Sequence, residues 1–252
     1  LKNNTITPNA FASASKDYTY YEGLAAYTDG DNFDEALAAE YKAAAIDELT
    51  AAGATFPVKM LMCYNPTSAN WAQECQVVEQ QIETVLGADY VDIIIQAGPE
   101  TGFLGAIRRT GKYAFMKCNW GADYADPETW TDPFSTDSSY SFIFKSTDPE
   151  TQALYAEYTE LVAAAKAITD DMDARYTAFA KAEAFLLDHA FAVPFSISNR
   201  SYQMCNLNVF EGQYASFGMA NQRYKDQHLY DTSMGLEEYQ AAYAEWQSKK
   251  AG

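Results

Sequence analysis

Two short apolar runs flanking one strongly amphipathic helix constrain this chain more than any other feature. Val58-Lys59-Met60-Leu61-Met62-Cys63-Tyr64, after Pro57, reads as a strand, as does Val91-Asp92-Ile93-Ile94-Ile95. Between them Trp71, Cys75, Val78, Ile82 and Val85 recur at steps of three and four, which places them on one helical face. Asn65-Pro66-Thr67-Ser68 is a turn with Ser68 as N-cap, and Gly87 is the stop. A short helix over 100–109 follows, ending at Arg108-Arg109 before Gly111, then a third strand over 113–118. A β-α-β-α-β order requires right-handed crossovers and gives a mainly parallel sheet. Strand 58–64 is expected between 91–96 and 113–118, because the first strand of a doubly wound sheet commonly lies at the switch point.

The remainder is mostly helical. Residues 1–33 are irregular. A helix is expected from about Asp34 to Ala52, with Leu37, Tyr41 and Leu49 near one face and Gly53 as its stop. Residues 128–147 are mostly loop. Asp148-Pro149-Glu150 opens a helix with an N-cap followed by proline, striped by Leu154, Tyr158, Leu161, Val162 and Ala165. Another starts near Asp170 with Met172, Tyr176, Phe179 and Leu186 inward. These stripes are core, because helical spacing alone accounts for them. Phe191–Ile197 reads as a further strand, with Pro194 marking an edge or a bend. A last amphipathic helix runs from about Gly235 to Lys249.

Composition removes whole classes of function. A formal net charge of −18 over 252 residues opposes nucleic-acid binding, which needs clustered Lys and Arg, and opposes an anionic membrane surface. It permits a cationic or zwitterionic ligand, and equally serves solubility alone. The 19 tyrosines suit binding surfaces and cores alike. No segment has the ~20 apolar residues of a membrane span. Leu1-Lys2-Asn3-Asn4-Thr5 carries neither an initiator Met nor a signal peptide, and reads as a cut within a longer protein. Cys63, Cys75, Cys118 and Cys205 form no CxxC pair and no metal-ligand cluster. They fit either free thiols or disulfides. For Cys63 and Cys118, near the carboxyl ends of neighbouring strands, a disulfide is the expectation, requiring Cα atoms about 4.4–6.8 Å apart.

Catalytic motifs are missing: there is no GxSxG, GxxxxGK[ST] or HExxH. Of two histidines, His189 sits near a helix end, where the helix dipole favours a positive charge. The distinctive segment is Lys117-Cys118-Asn119-Trp120-Gly121-Ala122-Asp123-Tyr124-Ala125-Asp126-Pro127, at the carboxyl end of the third strand, where ligands gather in open α/β sheets. It offers an indole, a carboxylate and a phenol within five residues. Asp126-Pro127-Glu128 resembles another N-cap with proline after it, so Asp126 is assigned to capping. Asp123 has no such structural role. It is either a ligand contact or a loop carboxylate paired with Lys or backbone amides.

Trp120-Gly121-Ala122-Asp123-Tyr124-Ala125-Asp126-Pro127 resembles the Trp-x-Ala-Asp-Tyr-x-x-Pro stretch of the family-5 extracellular solute-binding proteins, the peptide-, dipeptide- and nickel-binding subunits of ATP-driven importers. Gly111-Lys112-Tyr113 resembles the family's Gly-x-Tyr/Phe before the third strand. Arg175, Ala182-Glu183 and Ala192-Val193-Pro194-Phe195 resemble its Arg…Ala-Glu…Pro pattern. The resemblance covers roughly residues 35–225.

That resemblance implies an α/β fold, a type II periplasmic-binding-protein-like lobe with a mainly parallel central sheet flanked by helices. Residues 1–200 would form the carboxyl-terminal ligand-binding lobe. Residues 201–252 would be a return segment and C-terminal helix packing on a first lobe. The implied function is capture of extracellular peptides for an ABC importer, without catalysis and without cofactor or metal. The partners would be a small peptide and the importer's membrane permease, and the protein a monomer. The implied setting is a bacterial lipoprotein, extracellular or periplasmic, tethered by a lipid anchor outside these residues. Asp123 takes the position that grips a peptide's α-ammonium in peptide-binding members, with Trp120 and Tyr124 beside it. Lys117 and Arg108 take basic positions that receive the ligand carboxylate or its waters; Lys117 replaces an Arg and lacks its bidentate fork. Gly121 stands where some members carry a disulfide cysteine. Other solutes (a metal chelate or a sugar), a sensor lobe and a secreted hydrolase are the competing readings.

Overall fold

The structure is a computed structural model that describes residues 4–9, 11–29, 31–140, 142, 145–197, 205–212 and 224–250. Its helices in chain order are α1 (Ala25–Thr28), α2 (Glu35–Ala51), α3 (Trp71–Leu86), α4 (Glu128–Thr131), α5 (Pro149–Ala167), α6 (Met172–Asp188) and α7 (Leu236–Lys250). Its strands are β1 (Val58–Tyr64) and β2 (Val91–Ala97). β1 and β2 pair in parallel, from Val58 opposite Val91 to Tyr64 opposite Ala97. α3 supplies the crossover between them. It packs Cys75, Val78 and Ile82 against Met62, Val91 and Ile93, closing a small core on one sheet face.

The expected third strand is reduced to a single parallel bridge. Met62 pairs with Phe115, and the Ala114 amide donates to the Leu61 carbonyl at 2.8 Å. β1 therefore does lie between β2 and this segment, but the ladder stops at Phe115. Two residues later the Lys117 ammonium ion-pairs with Glu74 on α3. The expected strand over 191–197 is also absent. Pro194 has no N–H to give a ladder, and Val193 and Phe195 are exposed. The expected helix over 100–109 contracts to a π-helical turn, Leu104–Arg108.

The larger core is built by α5, α6 and the N-terminal segment. Asp148 and Asp171 cap α5 and α6 through the amides of Thr151 and Ala174. Tyr158 and Val162 face Phe179 and Leu186, and Tyr18 and Leu24 complete the cluster. The irregular first residues are thus core-forming. Met172, expected inward, lies in the first turn of α6 and is exposed. α3 is preceded by Asn70 in a left-handed conformation, not capped by Ser68. α2 buries no residue, and its Leu37 and Tyr41 face solvent. Phe210 packs on Tyr239, Tyr243 and Trp246 of α7.

Gly23 marks the closest approach of the N-terminal segment to α6. Its φ is +104°, and a Cβ there would meet the Ala180 carbonyl oxygen at 3.1 Å and the Lys181 Cα at 3.1 Å. Both neighbours are helix backbone and cannot yield. Gly23→Ala is therefore expected to cost about 1–3 kcal/mol, read as a lower urea midpoint with an unchanged m-value. An unchanged midpoint would show that the contact is slack.

Candidate functional site

Parallel strands put their carboxyl ends on one side of the sheet, and a cleft of about 350 Å³ opens there. Its lining comes from the connections that leave those ends. Ser68 and Trp71 follow β1, Leu104 and Arg108 follow β2, and Lys117 and Cys118 follow the bridged segment. Trp71, read from its spacing as part of one apolar helical face, has one side on the sheet cluster and stands edge-on to Phe103 at 5.3 Å. Its indole N–H and the Arg108 Nε are buried without a hydrogen-bond partner among the described residues. The Lys117 ammonium is committed to Glu74 and lies 5.9 Å from the Trp71 ring centre. Arg108 is the cation of the cleft with no carboxylate against it among the described residues.

The other three candidates stand on the loop that follows. The Trp120 indole donates to the Thr129 carbonyl at 2.6 Å, and its ring sits edge-on to Tyr140 at 4.7 Å and Phe142 at 5.6 Å. The Arg108 guanidinium lies over the same two rings, 4.9 Å from Phe142 and 5.9 Å from Tyr140. One aromatic pair thus joins the cleft wall to the loop, with a cation–π contact on one side and indole packing on the other. Asp123 is exposed, and its amide donates to the Thr129 hydroxyl at 3.1 Å. Its carboxylate has no hydrogen bond or ion pair among the described residues. Tyr124 is exposed as well. Burial of its hydroxyl, and then the charges of Glu128, Asp132 and Asp126, push its phenol up to about 12, so it stays a neutral hydrogen-bond donor at ordinary pH.

Asp126 holds the loop's far end. Its carboxylate accepts from the Glu128 amide at 2.9 Å and receives the Arg175 fork, Nε at 2.9 Å and Nη2 at 3.0 Å. α4 starts one residue later than expected, with Pro127 and not Asp126 at the N-cap position, so Asp126 accepts the Glu128 amide from just outside the helix and adds an ion pair to Arg175. The expected Cys63–Cys118 disulfide does not form, and all four cysteines are free. With the ladder ending at Phe115, Cys118 lies outside the paired region and is exposed, while the buried Cys63 thiol donates to the Lys112 carbonyl at 3.4 Å. Arg108 and Lys117 are thus brought together in the cleft, and Trp120, Asp123 and Tyr124 on the loop beside it. Sequence reasoning missed Thr129, Tyr140, Phe142 and Glu74, none of which carries a motif or a period. No group of three or more His, Cys, Asp or Glu able to hold a metal occurs among the described residues.

No family model matches the chain. Among curated proteins it is 29% identical over 218 residues to the oligopeptide-binding protein AmiA of Streptococcus pneumoniae serotype 4, covering 81% of this chain and 33% of AmiA. It is 31% identical over 247 residues to the oligopeptide-binding protein AliA of the same organism, covering 90% of this chain and 37% of AliA. The chain is homologous to part of each of these two oligopeptide-binding proteins. It spans 33–37% of the length of these two relatives. Among solved structures, a peptide-binding protein of a peptide ABC transporter superposes with a TM-score of 0.60 at 23% identity, over 77% of this chain and 79% of that one. The substrate-binding domain of an oligopeptide ABC transporter from Bacillus anthracis str. Ames gives a TM-score of 0.59 at 23% identity, over 77% of this chain and 34% of that one. The fold is therefore the α/β lobe of a periplasmic-binding-protein type.

Proposed function

We propose that this chain is the carboxyl-terminal ligand-binding lobe of a peptide-capturing subunit of an ABC importer, acting by binding and not by catalysis. The observation that carries the reading is an exposed carboxylate, Asp123, on a loop pinned at both ends beside a cation-lined cleft, in a homologue of oligopeptide-binding proteins. A peptide is a zwitterion. Asp123 would take its ammonium, and Arg108, with Lys117 held by Glu74, its carboxylate or a water before it. Tyr124 would donate to a peptide carbonyl, and Trp120 would form wall. The permease, the extracellular or periplasmic setting with a lipid tether, and a monomeric state belong to the same reading. So does a return segment over 201–252 that packs on a first lobe. The exposed Leu236, Tyr239 and Tyr243 of α7 support a helix that covers a surface outside these residues.

The test is binding of free-amine oligoalanine peptides and their N-acetylated twins to the full-length protein and to Asp123→Asn. Asparagine keeps the shape and one acceptor but loses the charge. A charge-assisted hydrogen bond is worth about 1.5–3 kcal/mol, so the free-amine preference of the wild type is expected to fall by roughly tenfold to a hundredfold. A preference that persists in Asp123→Asn would make Asp123 an ordinary loop carboxylate and overturn the site.

A further inference from the structure

Thr129 makes three contacts to the ligand loop from one position. It lies in α4, is 4% exposed, and its carbonyl fixes the Trp120 indole while its hydroxyl accepts the Asp123 amide. Its own amide donates to the Asp126 carbonyl at 3.1 Å, so both ends of the 120–126 loop refer to this residue. The carbonyl contact would survive any substitution. The hydroxyl contact is a property of the side chain, and it falls on the residue whose carboxylate carries the proposed ligand contact. The Asp123 amide and the Asp123 side chain share one Cα, so fixing the first limits where the second can point.

We propose that Thr129 is a positioning residue for ligand recognition, orienting the Asp123 carboxylate toward the ligand's amino terminus through its hydroxyl. The proposal rests on the reading of Asp123 given above. Thr129 does not touch the ligand; its effect passes through the loop backbone. Preorganisation of this kind raises affinity by reducing the ordering that binding must otherwise impose.

Thr129→Val keeps the branched shape and removes the acceptor. Thr129→Ser keeps the acceptor and removes a methyl group. In the full-length protein, with oligoalanine peptides and their N-acetylated twins, Thr129→Val is expected to reduce the free-amine preference about fivefold, the scale of one ordinary hydrogen bond. Thr129→Ser is expected to retain it. A purely structural role would lower affinity for both peptides alike and leave their ratio unchanged, and that result overturns the proposal. If Asp123→Asn abolishes the preference while Thr129→Val keeps it in full, the Asp123 reading stands and the Thr129 proposal falls. If Asp123→Asn itself keeps the preference, both fall. Amide exchange gives a check independent of the variants' folding. The Asp123 N–H in the unsubstituted protein is expected to be protected relative to exposed loop amides, and unprotected exchange overturns the proposal.

Discussion

Replacing Arg175 with Met is expected to lower the free energy of unfolding by about 3 kcal/mol, in the lower part of the ~3–5 kcal/mol range for breaking a buried ion pair from one side. Arg175 is only 9% exposed, and its guanidinium uses every edge. Nε and Nη2 fork onto Asp126, and Nη2 also reaches Glu128 at 2.8 Å. Nη1 donates to the carbonyls of Ala165, Lys166 and Ile168 at 3.3, 3.1 and 3.0 Å. One residue of α6 thus caps the open carbonyls of α5 and neutralises the acidic start of α4. Methionine would fill much of the volume over Phe179, so the loss is electrostatic rather than a cavity. It leaves two neighbouring carboxylates and a helix end without donors. The lower part of the range applies because the Asp126 and Glu128 side chains keep 18% and 23% of their surface. Arg175→Lys should recover only part of the loss, since an ammonium cannot reproduce the fork and the carbonyl contacts together. Urea unfolding of the three proteins decides this. A Met variant within about 0.5 kcal/mol of wild type, the range of ordinary surface changes, would show that the network contributes little.

Arg175 also shows what the sequence could and could not reveal. It was legible as part of a spaced Arg…Ala-Glu…Pro pattern, but nothing in that spacing said that it would meet Asp126, 49 residues earlier. β1, α3 and β2 were legible because each is set by local apolar periodicity and closed by a turn signal. The 113–118 segment has strand composition, yet it meets the sheet only through the Met62–Phe115 bridge, and its Lys117 pairs with Glu74, 43 residues away. Strand composition alone does not fix pairing, which depends on the tertiary surroundings of the segment. Residues 1–33 have no period of either kind in the sequence, and of them the described residues are irregular outside a 3-10 turn at Tyr18–Tyr20 and the short α1, two elements the sequence did not signal. Their place in the main core follows from single anchoring contacts that no local pattern encodes. In the site, Trp120 and Asp123 stood out because they share a compact motif. Thr129, Tyr140 and Phe142, which hold that motif in shape, are scattered over 14 positions without a signature.

Glu183 is the anchor of the N-terminal segment, and its loss should rank with that of Arg175. Its carboxylate is fully buried in α6 and accepts from the Thr7 amide at 2.9 Å, the Thr7 hydroxyl at 2.7 Å and the Tyr18 hydroxyl at 3.1 Å. Glu183→Ala would strand three buried donors and leave a cavity. At about 1–3 kcal/mol for each unsatisfied group, partly relieved by relaxation, a total loss of roughly 3–5 kcal/mol is expected. Glu183→Gln should cost less, because one acceptor oxygen remains. The two variants separate packing from charge, and pH separates them further. Burial raises the Glu183 carboxyl above its ordinary 4.5, opposed by the hydrogen bonds from Thr7 and Tyr18. Between the unfolded value and that raised folded value, the folded protein holds more proton than the unfolded chain. Unfolding then releases protons, and stability falls as pH rises. The contribution of Glu183 is therefore full below about 4.5 and is lost as pH climbs through the folded value. Glutamine cannot titrate, so the stability of wild type minus that of Glu183→Gln should decline with rising pH across this window and be flat above it. The other carboxylates cancel in the difference. A difference that rises with pH would mean that the hydrogen bonds outweigh burial and hold the carboxyl below 4.5, reversing the role of this residue from a buried acid to a stabilised anion.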